Sequence, residues 1–240
     1  MPNKIAAIFT TFSIVACLSI FSYADFRNQE DFDSSIQQVF QQYSPLVQSL
    51  GGQLRIDSQW KNDTLNGFAE RDGDLWIIKI FGGLFRHPLL TTDGFQSLLC
   101  HELGHHLGGA PYKFDIPWMS TEGQADFYSG SVCLIGLWEN KNNLHAIKDL
   151  EIPPEVSKKC SIVFEMEERV ALCIRIALAG FSFTEFNRVE HGYTSENSPS
   201  DFSNPAPVNT SGKSLTYPRA QCRLDTYLAA ALNQKPPACW

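Results

Sequence analysis

Five consecutive residues, His101-Glu102-Leu103-Gly104-His105, dictate more about this chain than any other stretch. They form an HExxH run inside a segment whose pattern predicts a helix over 95–107. Residues four apart on a helix lie about 5–6 Å from each other on one face, so both imidazoles can reach a single ion. Glu102 is turned one step aside, near enough to touch a water on that ion without ligating it. Thr92 or Asp93 can cap the helix, and Gly108-Gly109 ends it. Phe95, Leu99, Leu103 and Leu107 line up as an apolar stripe toward the core, which sets His101 and His105 on another side. His106 falls beside the stripe and reads as a packing or hydrogen-bonding residue, and Cys100 as structural.

Two imidazoles leave a zinc ion short of its usual three protein ligands plus water. The metzincin continuation HExxHxxGxxH is met at Gly108 but ends on Pro111, which has no ligating side chain. A gluzincin continuation needs a Glu on a following helix. Ser120 can cap a helix over 121–138, and its Glu122-Gly123-Gln124-Ala125-Asp126 supplies that residue. Glu122 is therefore the expected third ligand. Asp126, one turn on, can accept a hydrogen bond from the ring N–H of His101 and fix its tautomer. One Zn2+ is the expected cofactor, on donor type alone; similar sites take other divalent ions.

The rest of the pattern supplies a frame. A helix is predicted over 31–50 from Phe32, Ile36, Val39, Phe40 and Tyr43, and Gly51-Gly52 ends it. A short strand is expected over 54–57, then a hairpin over 66–80 that turns at Arg71-Asp72-Gly73-Asp74. Pro153-Pro154 reads as a loop, helices are expected within 165–179 and 219–232, and the Ser-, Asn- and Pro-rich 195–214 as a long surface loop. Helices and strands of this kind predict an α+β fold: a small mixed sheet over two ligand-bearing helices, with disulfide-braced helices toward the C-terminus.

HExxH followed by ExxxD, after an apolar hairpin, resembles the gluzincin metallopeptidases of the HtpX and CAAX prenyl-protease type and their compact relatives, the minigluzincins. Asn66-Gly67-Phe68-Ala69 and the strand over 75–80 match the family's N-A-F-A stretch and substrate-binding edge strand. Thr216-Tyr217-Pro218, with Arg223 six residues after Tyr217, is similar to its T-H-P…R element. These stretches run through about two thirds of the chain. The resemblance implies a zincin-like fold and a peptidase. It also implies an oxyanion-stabilising role at position 217, where Tyr stands for the family's His; a phenol can donate the same kind of hydrogen bond. Only 16 residues separate His105 from Glu122, a tighter link than in the membrane-bound members.

A basic Met1 to Lys4, an apolar run to Phe21 and Ser22-Tyr23-Ala24 read as a signal peptide over 1–24, leaving one domain over 25–240. Ile14-Val15-Ala16-Cys17 also looks like a lipobox, so a lipid anchor at Cys17 is the minor alternative. Beyond Cys17 stand six cysteines: Cys100, Cys133, Cys160, Cys173, Cys222 and Cys239. An even count behind a signal implies up to three disulfides, in any of fifteen pairings, in a secreted or periplasmic protein. With 19 basic against 26 acidic side chains and no basic stripe, nucleic acid is not an expected partner. The expected function is a zinc-dependent metallopeptidase acting on peptide or protein substrates. Glu102 would take the proton of the zinc-bound water and pass it to the leaving amine, with Tyr217 or Arg223 as a further donor to the oxyanion. Two other readings use the same residues: a secreted, zinc-stabilised binding module without turnover, and a zinc amidase acting on cell-wall peptides.

Overall fold

A computed structural model describes residues 27–192, 199–209 and 217–240. The signal segment, Cys17, Thr216 and both ends of the 195–214 loop lie outside the described residues.

Helix α1 (Gln29–Ser49) starts at Asn28, whose side chain accepts the Asp31 N–H at 3.0 Å. Phe32, Ile36, Val39, Tyr43 and Val47 recur every three or four residues and form its buried face. Gly51, at φ +82°, turns the chain into β1 (Gln53–Gln59). β2 (Gly67–Asp72) and β3 (Leu75–Phe81) follow as the expected hairpin, turning at Gly73 with φ +60°. β1 runs parallel to β3 and β2 antiparallel to it, so the mixed sheet has the order β1-β3-β2. This corrects one expectation. The 75–80 strand is central, with both sides of its backbone already paired, and cannot serve as a free edge. Its near-continuous apolar run is what a strand covered on both faces requires. The edge that faces the site is β2.

After a short helix α2 (Gly82–Arg86) comes α3 (Thr92–Leu107), capped by Thr91 rather than by Thr92 or Asp93: the Thr91 hydroxyl accepts the Gly94 N–H at 3.0 Å. Every residue from Gly94 to His106 is buried. In place of a single apolar stripe, α3 is a core helix covered nearly all round, and its polar residues are buried along with Phe95, Leu99 and Leu103. An unforeseen hairpin, β4 (Tyr112–Lys113) and β5 (Ile116–Ser120), links it to the next helix. That helix is α4 (Glu122–Tyr128), preceded by Thr121. It widens into a π-turn at Ser129–Cys133 and continues as α5 (Leu134–Trp138), matching the helix expected over 121–138.

Toward the C-terminus lie α6 (Asn143–Ile147), α7 (Pro154–Val163), α8 (Glu167–Glu190) and α9 (Ala220–Ala231). Pro154 opens α7, where its missing N–H costs nothing, so Pro153-Pro154 marks a helix start as well as a loop. α8 runs well beyond the expected 179. It is long and apolar enough to cross a membrane, yet 67% of that stretch is buried inside the fold, as in a core helix. The architecture is α+β. Three disulfides, Cys100–Cys133, Cys160–Cys173 and Cys222–Cys239, select one of the fifteen pairings and suit an oxidising compartment.

Candidate metal centre

Gly104 lets α3 and α4 meet. A Cβ there would sit 2.7 Å from the Ala125 carbonyl oxygen and 2.9 Å from its Cα, so the two helices touch backbone to backbone. That closeness brings Glu122, on the first turn of α4, against the histidine face of α3. His101 Nε2 lies 3.2 Å from Glu122 Oε2, and His105 Nε2 lies 3.7 Å from Glu122 Oε1. The three side chains are buried, and one ligand atom from each lies within 4.8 Å of the others.

The ring orientations follow from their partners. His101 Nδ1–H donates to Asp126 Oδ1 at 2.8 Å, and His105 Nδ1–H donates to the Ser120 carbonyl at 2.8 Å. A carboxylate and a carbonyl only accept, so both Nδ1 atoms carry the proton and both Nε2 atoms are left for a shared partner. Donors at 2.0–2.2 Å from one ion lie about 3–4 Å apart, and the 3.2 Å between His101 Nε2 and Glu122 Oε2 falls in that range. His101, His105 and Glu122 could therefore hold a metal ion. His106, next in sequence, turns away: its Nε2–H donates to the Ile77 carbonyl at 3.1 Å, and its ring is stacked between Trp76 and Trp118.

Behind His101 stands a second buried pair. Arg223 donates from Nε to Asp126 Oδ2 and from Nη2 to Oδ1, both at 2.7 Å. Asp126 is 0% exposed and Arg223 3%. Burial would raise the Asp126 carboxyl, but the Arg223 guanidinium and His101 hold it below the ordinary range. Burial works against a charged His101, yet Asp126 and then Glu122 outweigh it and raise the ring to about 9. His105 is pushed down to about 3, chiefly by burial. In the ion-free chain His101 thus carries a second ring proton, on Nε2, between two carboxylates, while His105 keeps only its Nδ1–H. Glu102 is pushed up to about 7, again mainly by burial, with the nearby His101 pulling the other way. A carboxyl poised near neutrality is suited to taking and returning a proton.

These groups open into a cleft between β2 and α8. Its lining includes Asn66 to Ala69 of the N-A-F-A-like stretch, His101, Glu102, His105 and Glu122, and Tyr217 and Arg223. The structure thus gathers all seven sequence-derived site residues, five of them in one hydrogen-bonded or facing group and Glu102 beside it. Tyr217 sits farther out, 45% exposed. Arg223 reaches the site through Asp126, a positioning contact that spends two of its donor nitrogens. Lys113, Asn187 and His191 also line the cleft and had not been foreseen. For Lys113 the available signal was a cation inside the short link between the two ligand-bearing helices; the other two carry no spacing signal. No family model, curated protein or solved structure matches the chain.

Proposed function

We propose that this protein is an exported zinc-dependent metallopeptidase with a zincin-like fold, of the gluzincin type that its HExxH and ExxxD motifs resemble. One observation carries the reading: two Nε2 atoms and a carboxylate converge in a buried cluster with Glu102 beside them, at the foot of an open cleft. His101, His105 and Glu122 would hold the ion. When bound, zinc supplies a Lewis acid that lowers the pKa of a coordinated water toward ~7 and polarises a carbonyl. Glu102 is the base that receives the proton from the attacking water and delivers it to the leaving amine. Asp126, braced by Arg223, keeps the His101 ring in one tautomer and one orientation. Tyr217 at the cleft mouth is the candidate donor to the developing oxyanion. An extended substrate would pair with the exposed edge of β2. The three disulfides and the signal-like N-terminus support a secreted or periplasmic location.

The test is metal analysis of the purified chain together with cleavage of a casein-type substrate by wild type and Glu102→Gln. The expected result is one bound zinc in both proteins and turnover only in wild type. A Glu102→Gln variant that cleaves as fast as wild type removes the proposed base.

A further inference from the structure

The carboxylate of Glu122 has a partner that the ligand set does not explain. Lys113 Nζ donates to Glu122 Oε1 at 2.7 Å, closer than the 3.7 Å from that oxygen to His105 Nε2, while Oε2 faces His101 Nε2 at 3.2 Å. The contact is sheltered, with the lysine side chain 23% exposed and the glutamate 3%. Lys113 belongs to β4, which pairs with β5, and β5 ends at Ser120, whose carbonyl holds the His105 ring. One hairpin therefore supports two of the three candidate ligands, His105 through a main-chain acceptor and Glu122 through an ammonium. A glutamate carboxylate at the end of three rotatable bonds can present either oxygen or both to an ion. An ammonium fixed on one oxygen removes that freedom, because a charge-assisted hydrogen bond is roughly twice as strong as a neutral one.

We infer that Lys113 is a positioning residue that holds Glu122 Oε1 and so presents Oε2 alone to the metal ion. The inference rests on the metal-site reading above. It carries a sign that can be checked. Deleting a positive charge beside a cation site would by itself tighten cation binding, whereas losing a positioning contact to a ligand weakens it. Outer partners of metal ligands are typically worth 10–100-fold in affinity, and this one is expected to win over the charge term.

The experiment strips the full chain with chelator and titrates Zn2+ in competition with a chromophoric chelator, for wild type, Lys113→Met and Lys113→Arg. Lys113→Ala replaces the Met variant if that protein loses its near-ultraviolet circular dichroism. The Met variant should bind roughly 10–100-fold more weakly. Its Co2+ absorption should also weaken as the second carboxylate oxygen reaches the ion. The Arg variant, able to donate to the same oxygen, should stay close to wild type in both. Equal or tighter binding by the Met variant overturns the assignment of Lys113 alone. A wild-type chain that takes up no ion overturns the metal reading itself, and this inference with it.

Discussion

Replacing Asp126 by Asn keeps the shape of the side chain and removes its charge. Asp126 accepts three hydrogen bonds, one from His101 at 2.8 Å and two from Arg223 at 2.7 Å. An amide has one acceptor oxygen, so its nitrogen would face a guanidinium or ring N–H donor at contact distance. Arg223, 3% exposed, would then be a buried charge without its counter-ion. Breaking one side of such a pair costs about 3–5 kcal/mol. Glu122 also attracts Arg223, which favours the lower end of that range. For a domain of this size each kcal/mol shifts Tm by about 2–4 °C, so the ion-free variant should melt about 6–20 °C below wild type. Thermal unfolding of chelator-treated protein by circular dichroism measures this. The second arm replaces both partners, Asp126→Leu with Arg223→Leu, which should recover much of the loss because no lone charge remains. A single variant within about 2 °C of wild type, or a double variant no better than the single, would refute the reasoning.

Gly104→Ala should destabilise the protein by more than about 1 kcal/mol, although the same change in an open helix stabilises by a similar amount. The added methyl meets the Ala125 backbone at 2.7–3.2 Å, and zinc affinity should fall with Tm as Glu122 moves off the histidines. The pH dependence of the ion-free chain has a definite sign. His101, raised to about 9, contributes stability that is complete below its unfolded pKa of about 6.5 and lost as pH rises through 9. Tm after chelation should therefore decline from pH 6.5 to 9, with Glu102 adding the same sign up to about 7. Bound zinc needs an unprotonated ring nitrogen, so it should flatten the decline; a flat profile without metal counts against the His101 charge state. Cys222→Ser with Cys239→Ser opens a loop with sequence separation 17 and should cost roughly 3 kcal/mol, read by urea unfolding.

Local signals were well expressed in the sequence. α1, the β2–β3 hairpin, α3 and the helix from Glu122 to Trp138 each carry their period and their breakers within the segment itself. What escaped depends on partners far away in the chain. Nothing inside the 75–80 run reveals that β1 joins it in parallel and makes it central. Its apolar residues on both faces were the available hint. In the β4–β5 hairpin, β4 has two residues, too few to show alternation, and β5 carries Pro117, which reads against a strand. The pairing of six cysteines is a tertiary fact, as is the burial of α3 on every side. The site divides the same way. Its candidate ligands were legible because metal chemistry imposes a spacing: four residues between His101 and His105, and four between Glu122 and the Asp126 that orients His101. Lys113 was not, because a charge-assisted contact can come from any loop that arrives nearby.

The same division explains how the candidate metal centre is braced beside a three-stranded sheet. Cys100 stands next to His101 on α3, and its partner Cys133 closes the π-turn that continues α4. The two helices that carry the candidate ligands are therefore in backbone contact at Gly104–Ala125, and α3 is joined covalently, next to His101, to the π-turn that continues α4. π-turns cluster at functional sites because the extra residue re-aims a helix without breaking it. Here the turn places Cys133 under α3 while Asp126 stays aligned with His101 and Arg223. Reducing Cys100–Cys133 should therefore lower zinc affinity before it abolishes folding. Opening Cys160–Cys173, which ties α7 to α8, should lower Tm and leave zinc affinity unchanged. Cys100→Ala with Cys133→Ala against Cys160→Ala with Cys173→Ala, each titrated with zinc and melted, separates the two roles. Equal zinc affinities in both pairs would show that the bond beside His101 braces the fold and not the site.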